Sequence, residues 1–231
     1  MNILLTGGSG QLGQVLQKHR KYIAPSHQDM DITDPDSILR YIGKHSIDLI
    51  VHSAAYTETL KPDNDPNEAV KCFKVNVMGT RNLVAQAYCP IIYISTESAV
   101  EPYNFYILTK IQGEIEVRLN KQGCHIIRTS FRYDPFEYPK APTDMLTIGD
   151  TVAKIAPLID AAIDDLPMDG GITYIGTGVR TVYELAKETR PDVIGLPRAE
   201  IFARLPAMEG LRDVLKYNTT IKAPQKRGNS A

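Results

Sequence analysis

Three side chains in the middle of the sequence have the types and spacing of an acid–base site. Tyr106 and Lys110 are four residues apart, so on a helix they would lie one turn apart on the same face. An ammonium group beside a phenol stabilises the phenolate, which lowers the pKa of the tyrosine and lets the pair donate and accept a proton. The hydroxyl of Thr96 could hydrogen-bond the same substrate oxygen. The plain alternative is that Tyr106 belongs to the core and Lys110 is solvated.

The elements that would position these side chains begin with a glycine-rich turn. An apolar run at residues 3–5 is followed by Gly7, Gly10 and Gly13, and then by an amphipathic segment. This order predicts a strand, a tight turn and a helix, and in that arrangement the pyrophosphate of a dinucleotide lies at the helix N-terminus. The turn therefore predicts a dinucleotide cofactor, with an ordinary glycine-rich turn as the alternative.

The next segment leaves the choice between NAD and NADP open. In NAD-specific sites an acidic residue at the end of the second strand binds the ribose 2′-hydroxyl. Here the predicted second strand, residues 22–25, is followed by Ser26 and His27. Asp31 comes at about the expected count from the glycines but lies beyond that strand. Thr33 or Asp34 is predicted to cap a helix over residues 36–44.

The rest of the chain alternates apolar strands with helical segments. Strands are predicted over residues 47–55 and 90–95, with a long helical stretch between them that ends at Ala87. Residues 142–163 predict a strand or loop followed by a helix. Residues 170–187 predict a strand followed by a helix with Val182, Leu185 and Ala186 on its apolar face, and residues from 223 onward are polar and predicted to fray. Strands alternating with helices of this length predict an α/β fold with a doubly wound parallel sheet.

The composition of the chain limits the kinds of binding partner that can be expected. The chain has 26 basic and 27 acidic residues and a net charge of −1, which disfavours nucleic acid. Cys72, Cys89 and Cys124 lack C-x-x-C spacing, and no leader or membrane segment opens the sequence, so we expect a cytoplasmic protein with free thiols and no membrane partner. No metal site is predicted, and no chemistry is assigned to the histidines, which are His19, His27, His45, His52 and His125.

Taken together, these motifs resemble a known family. The sequence is similar to the extended short-chain dehydrogenase/reductase superfamily, which includes the NAD-dependent epimerases and dehydratases, and most closely to the dTDP-4-dehydrorhamnose reductase family. No single motif is specific, but their order and spacing together are. The matching segments are residues 6–13, 31–34, 53–57, 76–80, 95–97, 104–110, 128–130, 141–143 and 171–174.

The resemblance implies an NAD(P)H-dependent reductase of a 4-keto nucleotide sugar. Its Rossmann-type doubly wound sheet would form an NAD(P)-binding domain over residues 1–135, and residues 136–231 would form a small, abbreviated substrate lobe interleaved with the last strands. Tyr106 would protonate the sugar C4 oxygen, with Thr96 and Lys110 as the other catalytic residues, and a homodimer is left open. The implied cofactor contacts are Gly7, Gly10, Gln11, Leu12, Gly13, Asp31, Ile32, Ala54, Ala55, Tyr56, Tyr106 and Lys110. The implied substrate contacts are Glu97, Arg128 and Ser130.

The substrate side departs from the pattern of that family. The stretch between Thr96 and Tyr106 is shorter than the usual loop, and Ile107 replaces a glycine. A helical insertion before Ala141 is missing. Residues 211–222 resemble the C-terminal element that closes over the sugar nucleotide, although an ordinary surface segment is as good an interpretation.

These departures leave two alternative functions open. A 4,6-dehydratase would need an Asp-Glu pair after the catalytic threonine, and Glu97 followed by Ser98 disfavours that reaction. An epimerase of the same superfamily would use the same tyrosine and a retained nicotinamide. A non-catalytic NAD(P)-binding regulatory protein with a lost substrate pocket is the other alternative.

Overall fold

The computed structural model describes residues 1–100, 102 and 104–201. The predicted element at residues 211–222 and the predicted frayed tail lie outside them. In chain order, the described elements are β1 (Ile3–Thr6), α1 (Gln11–His19), α2 (Pro35–Ile42), β2 (Leu49–His52), α3 (Pro66–Phe73), α4 (Thr80–Gln86), β3 (Ile91–Thr96), α5 (Phe105–Val117), β4 (Cys124–Thr129), β5 (Phe131–Arg132), β6 (Lys140–Pro142), β7 (Leu146–Thr147), β8 (Asp150–Thr151), α6 (Val152–Ala162), β9 (Ile172–Tyr174), β10 (Arg180–Thr181), α7 (Val182–Thr189), β11 (Ile194–Leu196) and α8 (Arg198–Ile201). A π-helical segment, Lys74–Gly79, joins α3 to α4.

The main sheet is parallel, and within the described residues its strand order is β1-β2-β3-β4-β9. The register pairs Ile3 with Leu49 and Ile50 with Ile91, and the four longer strands are buried almost throughout. Burial on both faces is what parallel strands require, because helices cover each side of the sheet. The predicted α/β parallel sheet is therefore confirmed.

Alternate residues of each strand face two separate helical layers. On β1, Ile3 and Leu5 pack with α1 and α6, whereas Leu4 packs with α2, α4 and α5. The period of two follows from the pleat of a strand. The sheet is thus wound on both faces, and the carboxyl ends of its strands lie along one edge.

The predicted second strand is wrong in extent. Only Ile23 pairs with β1, through one hydrogen bond from its N–H to the oxygen of Ile3 and one to its own oxygen from Leu5. Pro25 lacks the N–H needed to continue the ladder, and a turn follows directly, in which the N–H of Asp29 bonds the oxygen of Ser26 at 3.1 Å. A single bridge is what remains.

The later elements combine a sheet strand with small two-stranded ladders. β9 extends the main sheet, while β10 pairs with β7, β11 with β6 and β5 with β8. Val182, Leu185 and Ala186 form the buried face of α7, as predicted. Among the described residues there is no helix long and apolar enough to cross a membrane, and no cluster of side chains suited to hold a metal ion.

Candidate active site

The glycine turn after β1 lies against the chain that leaves β2. Gly7 has φ +72°, and a Cβ there would lie 2.7 Å from the backbone nitrogen of Ala54. The turn closes with a hydrogen bond from the N–H of Gly10 to the oxygen of Gly7 at 3.0 Å. A Cβ on Gly13 would collide with that same oxygen, so α1 approaches the turn closely only because residue 13 is glycine.

The N-terminus of α1 offers its backbone N–H groups to an anion. Helix α1 begins at Gln11, directly after Gly10, which has no side chain to cap it. The side chain of Leu12 is buried in the core, so only its backbone is left to contact a ligand. The amide of Gln17 holds the turn by donating to the oxygen of Gly8 at 2.7 Å. These residues fit the pyrophosphate of a dinucleotide.

A prediction follows for Gly7→Ala. The methyl group would push the turn away from Ala54, so we expect the affinity for NAD(P)H to fall at least about tenfold, together with a stability loss of more than about 1 kcal/mol. Titration by cofactor fluorescence and thermal melting measure the two effects. The matched control is Gly170→Ala: Gly170 has φ +84° but no atom within 4 Å, so only the backbone cost remains. Equal affinities in both variants would contradict the prediction.

The three predicted catalytic residues come from the end of β3 and the first two turns of α5. Asn104 caps α5 by accepting a hydrogen bond from the N–H of Ile107 at 2.8 Å. Tyr106 lies in the first turn and is half-buried, and Lys110 follows one turn later. Thr96 is the last residue of β3, and its hydroxyl oxygen accepts from the N–H of Ser98 at 3.2 Å. All three therefore belong to the carboxyl edge of the sheet.

Lys110 is enclosed by protein. Its side chain is 3 % exposed, its Nζ donates to the oxygen of Ile94 at 2.8 Å, and the same Nζ lies 4.2 Å from the ring centroid of Tyr93. Burial lowers the pKa of Lys110 to about 7, although the nearby carboxylate of Glu114 opposes the change. An amine with this pKa gains and loses its proton near neutrality, as proton-transfer chemistry requires.

Two of the predicted cofactor contacts, Asp31 and Ile32, have partners within the protein. The carboxylate of Asp31 accepts from the N–H and the hydroxyl of Thr33, both at 2.8 Å. Burial opposes ionisation there, but these bonds leave the pKa of Asp31 below its usual value. The side chain of Ile32 is buried against Gly79.

Residues 54–56 form the loop that leaves β2. The N–H of Ala54 donates to the hydroxyl of Thr6 at 3.1 Å, and Ala55 is half-buried. Tyr56 is held at both ends: its N–H donates to the side chain of Asn76 at 2.8 Å, and its hydroxyl donates to Glu68 at 2.5 Å. The loop is thus fixed beside the glycine turn.

The predicted substrate contacts have internal partners. Glu97 is 2 % exposed and accepts from the hydroxyl of Thr147 at 2.6 Å and from the N–H of Ile148 at 2.8 Å. The Ser130 hydroxyl accepts from Arg132 at 2.7 Å. In this arrangement Glu97 ties the end of β3 to the small ladders.

Arg128 also has an internal partner. It binds both carboxylate oxygens of Glu114, with its Nε 2.8 Å from one and its NH2 2.7 Å from the other. Its third donor reaches the hydroxyl of Tyr174 at 2.8 Å. The pair joins α5 to β4 and β9, and an arginine held at three donors has little freedom to reach a ligand.

Sequence reasoning missed two buried residues beneath this site, His52 and Asn76. The ring of His52 bonds the hydroxyls of Thr6 and Thr80, and the side chain of Asn76 bonds Tyr56 and Thr109. Their signal in the sequence is weak, since each is one polar residue in an apolar stretch. These four contacts could not be assigned without the fold, because the two residues of each contact are 20 or more positions apart.

The fold and the site together define a class of protein. A doubly wound parallel sheet, a glycine turn on a helix N-terminus, and threonine, tyrosine and lysine at the carboxyl edge are the features of the extended short-chain dehydrogenases/reductases. The chain belongs to the family described as the RmlD substrate binding domain, whose family model matches residues 1–147. The predicted family is confirmed.

Two relatives in sequence carry the same enzyme name. The chain is 30 % identical over 154 residues to a dTDP-4-dehydrorhamnose reductase of Mycolicibacterium smegmatis, covering 57 % of this chain and 46 % of that protein. It is 25 % identical over 209 residues to the enzyme of the same name from Aggregatibacter actinomycetemcomitans, covering 80 % of this chain and 67 % of that protein. The chain thus spans from about half to two thirds of the length of these relatives.

Solved structures share the fold over most of the chain. A dTDP-4-dehydrorhamnose reductase from Bacillus anthracis, in complex with NADP, has a TM-score of 0.75 at 21 % identity and covers 90 % of this chain and 88 % of that one. An orthologue from Clostridium acetobutylicum has the same TM-score and the same coverage at 25 % identity. The likeness to the first structure shows the fold alone.

Proposed function

We propose that the protein is an NAD(P)H-dependent reductase of a 4-keto nucleotide sugar, like dTDP-4-dehydrorhamnose reductase. The observation that carries the proposal is that β3, which ends at Thr96, and the start of α5, which carries Tyr106 and Lys110, meet at the same carboxyl edge of the sheet as the glycine turn after β1. Relatives of that name with a matching first half support it. The proposal extends to the whole chain although the chain spans only part of these relatives.

In the proposed reduction, the cofactor would supply the hydride and a protein side chain would supply the proton. The bound nicotinamide cofactor supplies the hydride to the carbonyl carbon. The hydroxyl of Tyr106 donates the proton to the sugar C4 oxygen, and the hydroxyl of Thr96 hydrogen-bonds that oxygen and orients it. Lys110 would stabilise the resulting phenolate by its charge when its amine is protonated. Its Nζ is enclosed and donates to the oxygen of Ile94, so it could reach the ribose hydroxyls beside the nicotinamide only after the side chain moves.

The choice between NAD and NADP depends on the 2′ position of the adenosine ribose, which the residues after the short second strand segment would contact. No carboxylate directly follows the short strand segment, where Ser26 and His27 lie. Asp29 is already bound by the hydroxyl of Ser26 at 2.6 Å. We therefore propose NADP or NAD as the cofactor, with the preference to be set by parallel titration of both.

The proposal also assigns cofactor binding and substrate binding to different parts of the chain. Residues 1–135 supply the cofactor side and residues 136–231 the substrate side, with β9 returning to the main sheet. A separate cluster of buried side chains supports a small lobe, and it consists of Phe136, Ala141, Met145, Val182, Ala186 and Val193. A cytoplasmic location fits the three buried free thiols, since disulfides are rare in reducing compartments.

The experiment combines cofactor titration with a substrate panel. We expect the purified protein to bind NADPH or NADH and to oxidise the bound cofactor only when a 4-keto nucleotide sugar is added, with dTDP-4-dehydrorhamnose among the sugars tested. Absence of cofactor binding would overturn the proposal. Tight cofactor binding with no turnover across the panel would instead favour a non-catalytic binding protein.

We also propose a homodimer formed through α3 and α5. These neighbouring helices and the segments that directly follow them expose several large apolar side chains, which are Val70, Phe73, Met78, Leu108, Ile115 and Leu119. Val70 is 66 % exposed and Leu119 is 67 % exposed. Because the face is apolar and spans two helices that contact each other, a second copy of this chain is its proposed occupant.

The dimer gives a prediction for Ile115→Glu combined with Val70→Glu. Charges placed on the apolar face should convert a dimer into a monomer in light scattering at micromolar concentration, because burying an unpaired charge is costly. The matched control is Ile194→Glu, which changes an equally exposed isoleucine on β11 and should leave the dimer intact. A monomeric wild-type protein, or dissociation in the control alone, would count against the proposed interface.

A further inference from the structure

A continuous set of buried hydrogen bonds runs beneath the proposed site. The hydroxyl of Thr6, at the end of β1, lies 2.7 Å from Nδ1 of His52, at the end of β2. Nε2 of the same ring lies 3.0 Å from the hydroxyl of Thr80, at the start of α4. Thr80 in turn donates to the backbone oxygen of Asn76 at 2.7 Å. His52, Asn76, Thr6 and Thr80 are each at most 2 % exposed.

The chemistry of these groups determines which nitrogen of His52 carries the proton. A backbone oxygen only accepts, so the single proton of Thr80 points to Asn76, and Thr80 must accept from Nε2–H of His52. Nδ1 is then bare and accepts from the hydroxyl of Thr6, which itself accepts from the N–H of Ala54 at 3.1 Å. One tautomer alone satisfies all four bonds.

The side chain of Asn76 continues the connection to both sides of the site. Its oxygen accepts from the N–H of Tyr56 at 2.8 Å, and its amide donates to the hydroxyl of Thr109 at 2.9 Å. Thr109 donates to the backbone oxygen of Tyr106 at 2.7 Å. The loop that leaves β2 and the first turn of α5 are therefore held by the same side chain.

We propose that His52 is a positioning residue of the reductase: as the Nε2–H tautomer, it holds the residue 53–56 loop through Thr6 and the backbone of Tyr106 through Thr80 and Asn76. The inference rests on the proposed function. Its effect is to keep the nicotinamide side of the cofactor pocket and the proton donor in one relative geometry. A displacement of about 1 Å between reacting groups costs on the order of a hundredfold in rate.

A second buried histidine in the same sheet provides the comparison that separates positioning from stability. His125 is 2 % exposed, and its Nε2 bonds the hydroxyl of Thr173 at 2.9 Å. It lies at the amino end of β4, whereas His52 lies at the carboxyl end of β2. Loss of the bond to His125 should therefore weaken the sheet without moving the site.

The test uses isosteric variants, because His52→Phe by itself could prevent folding. Thr80→Val removes the acceptor for His52 and the bond to Asn76 while keeping the shape of the side chain, and Thr80→Ser keeps the hydroxyl. Thr173→Val is the control at His125. The measurements are the melting temperature, the dissociation constant for NADPH and NADH, and kcat and KM with the 4-keto sugar that the wild-type protein turns over.

We expect Thr80→Val to lower kcat at least about tenfold with KM for the sugar changed less, and Thr80→Ser to restore most of the rate. Thr173→Val should lower the melting temperature by a similar amount and leave kcat unchanged. If Thr80→Val and Thr173→Val lose only stability, to the same extent, His52 is structural and the inference fails while the reductase stands. If the wild-type protein binds neither cofactor, the proposed function fails first, and the inference falls with it.

Discussion

Tyr106→Phe is expected to lower turnover of the 4-keto sugar by about a thousandfold, within the range of about a hundredfold to ten-thousandfold that general acid catalysis contributes. The substitution removes the phenolic proton and leaves the ring, which is half-buried in the first turn of α5. Cofactor affinity should stay nearly unchanged, because the glycine turn and the N-terminus of α1 remain intact. Steady-state oxidation of NADPH or NADH and fluorescence titration measure the two quantities.

A second tyrosine serves as the matched control. The hydroxyl of Tyr88 donates to the oxygen of His45 at 2.8 Å, the ring is 49 % exposed, and it lies just beyond the end of α4. Tyr88→Phe should retain wild-type turnover. Equal activity in Tyr106→Phe and the wild-type protein would remove Tyr106 as the proton donor, and an equal loss in both variants would point to general damage.

Much of the fold could be predicted because it rests on local patterns. The apolar runs gave β2 and β3 with boundaries shifted by a few residues, and Asp34 caps α2 by accepting from the N–H of Asp36 at 3.0 Å, as one of the two predicted caps. The predicted strand at residues 22–25 failed because Pro25 cannot continue the ladder and a turn follows it directly. Only Ile23 reaches β1 before the chain turns away.

The site was predictable to the extent that its residues are close in sequence. The spacing of Tyr106 and Lys110 follows from the pitch of a helix, and the glycines follow from the turn that they make. The partners of the buried charged side chains could not be predicted, because they come from segments far apart in the sequence that meet only in the folded chain. Glu97 meets Thr147 across 50 residues, and Arg128 meets Tyr174 across 46.

Lys110→Met should abolish turnover near neutral pH and also change how stability depends on pH. The folded protein holds Lys110 with a pKa of about 7, against 10.5 for the free side chain. Between these values the unfolded chain binds a proton that the folded chain lacks, so the free energy of unfolding rises with pH by up to about 1.4 kcal/mol per unit. Below pH 7 the lysine is protonated in both states. The free energy of unfolding then no longer depends on pH through this group, and the stability that it contributes at high pH is absent.

The methionine variant removes this dependence. Relative to the wild-type protein, Lys110→Met should gain about 2 kcal/mol of unfolding free energy as the pH falls from 9 to 7 without cofactor. Denaturant unfolding at several pH values measures the difference in slope. The slope is a cleaner test than the absolute stability, because the variant also leaves the oxygen of Ile94 without its bond to Nζ, a loss that does not vary with pH.

A control at an exposed lysine separates the effect of burying the amine from the effect of removing a positive charge. Lys121→Met removes the same charge from the surface, where water already solvates the ammonium group, so its stability should follow the wild-type protein across the same pH range. If Lys110→Met and the wild-type protein show parallel curves, the Lys110 amine is protonated in the folded state throughout. A pKa of about 7 would then be wrong, and the amine would act in the site only as a fixed positive charge.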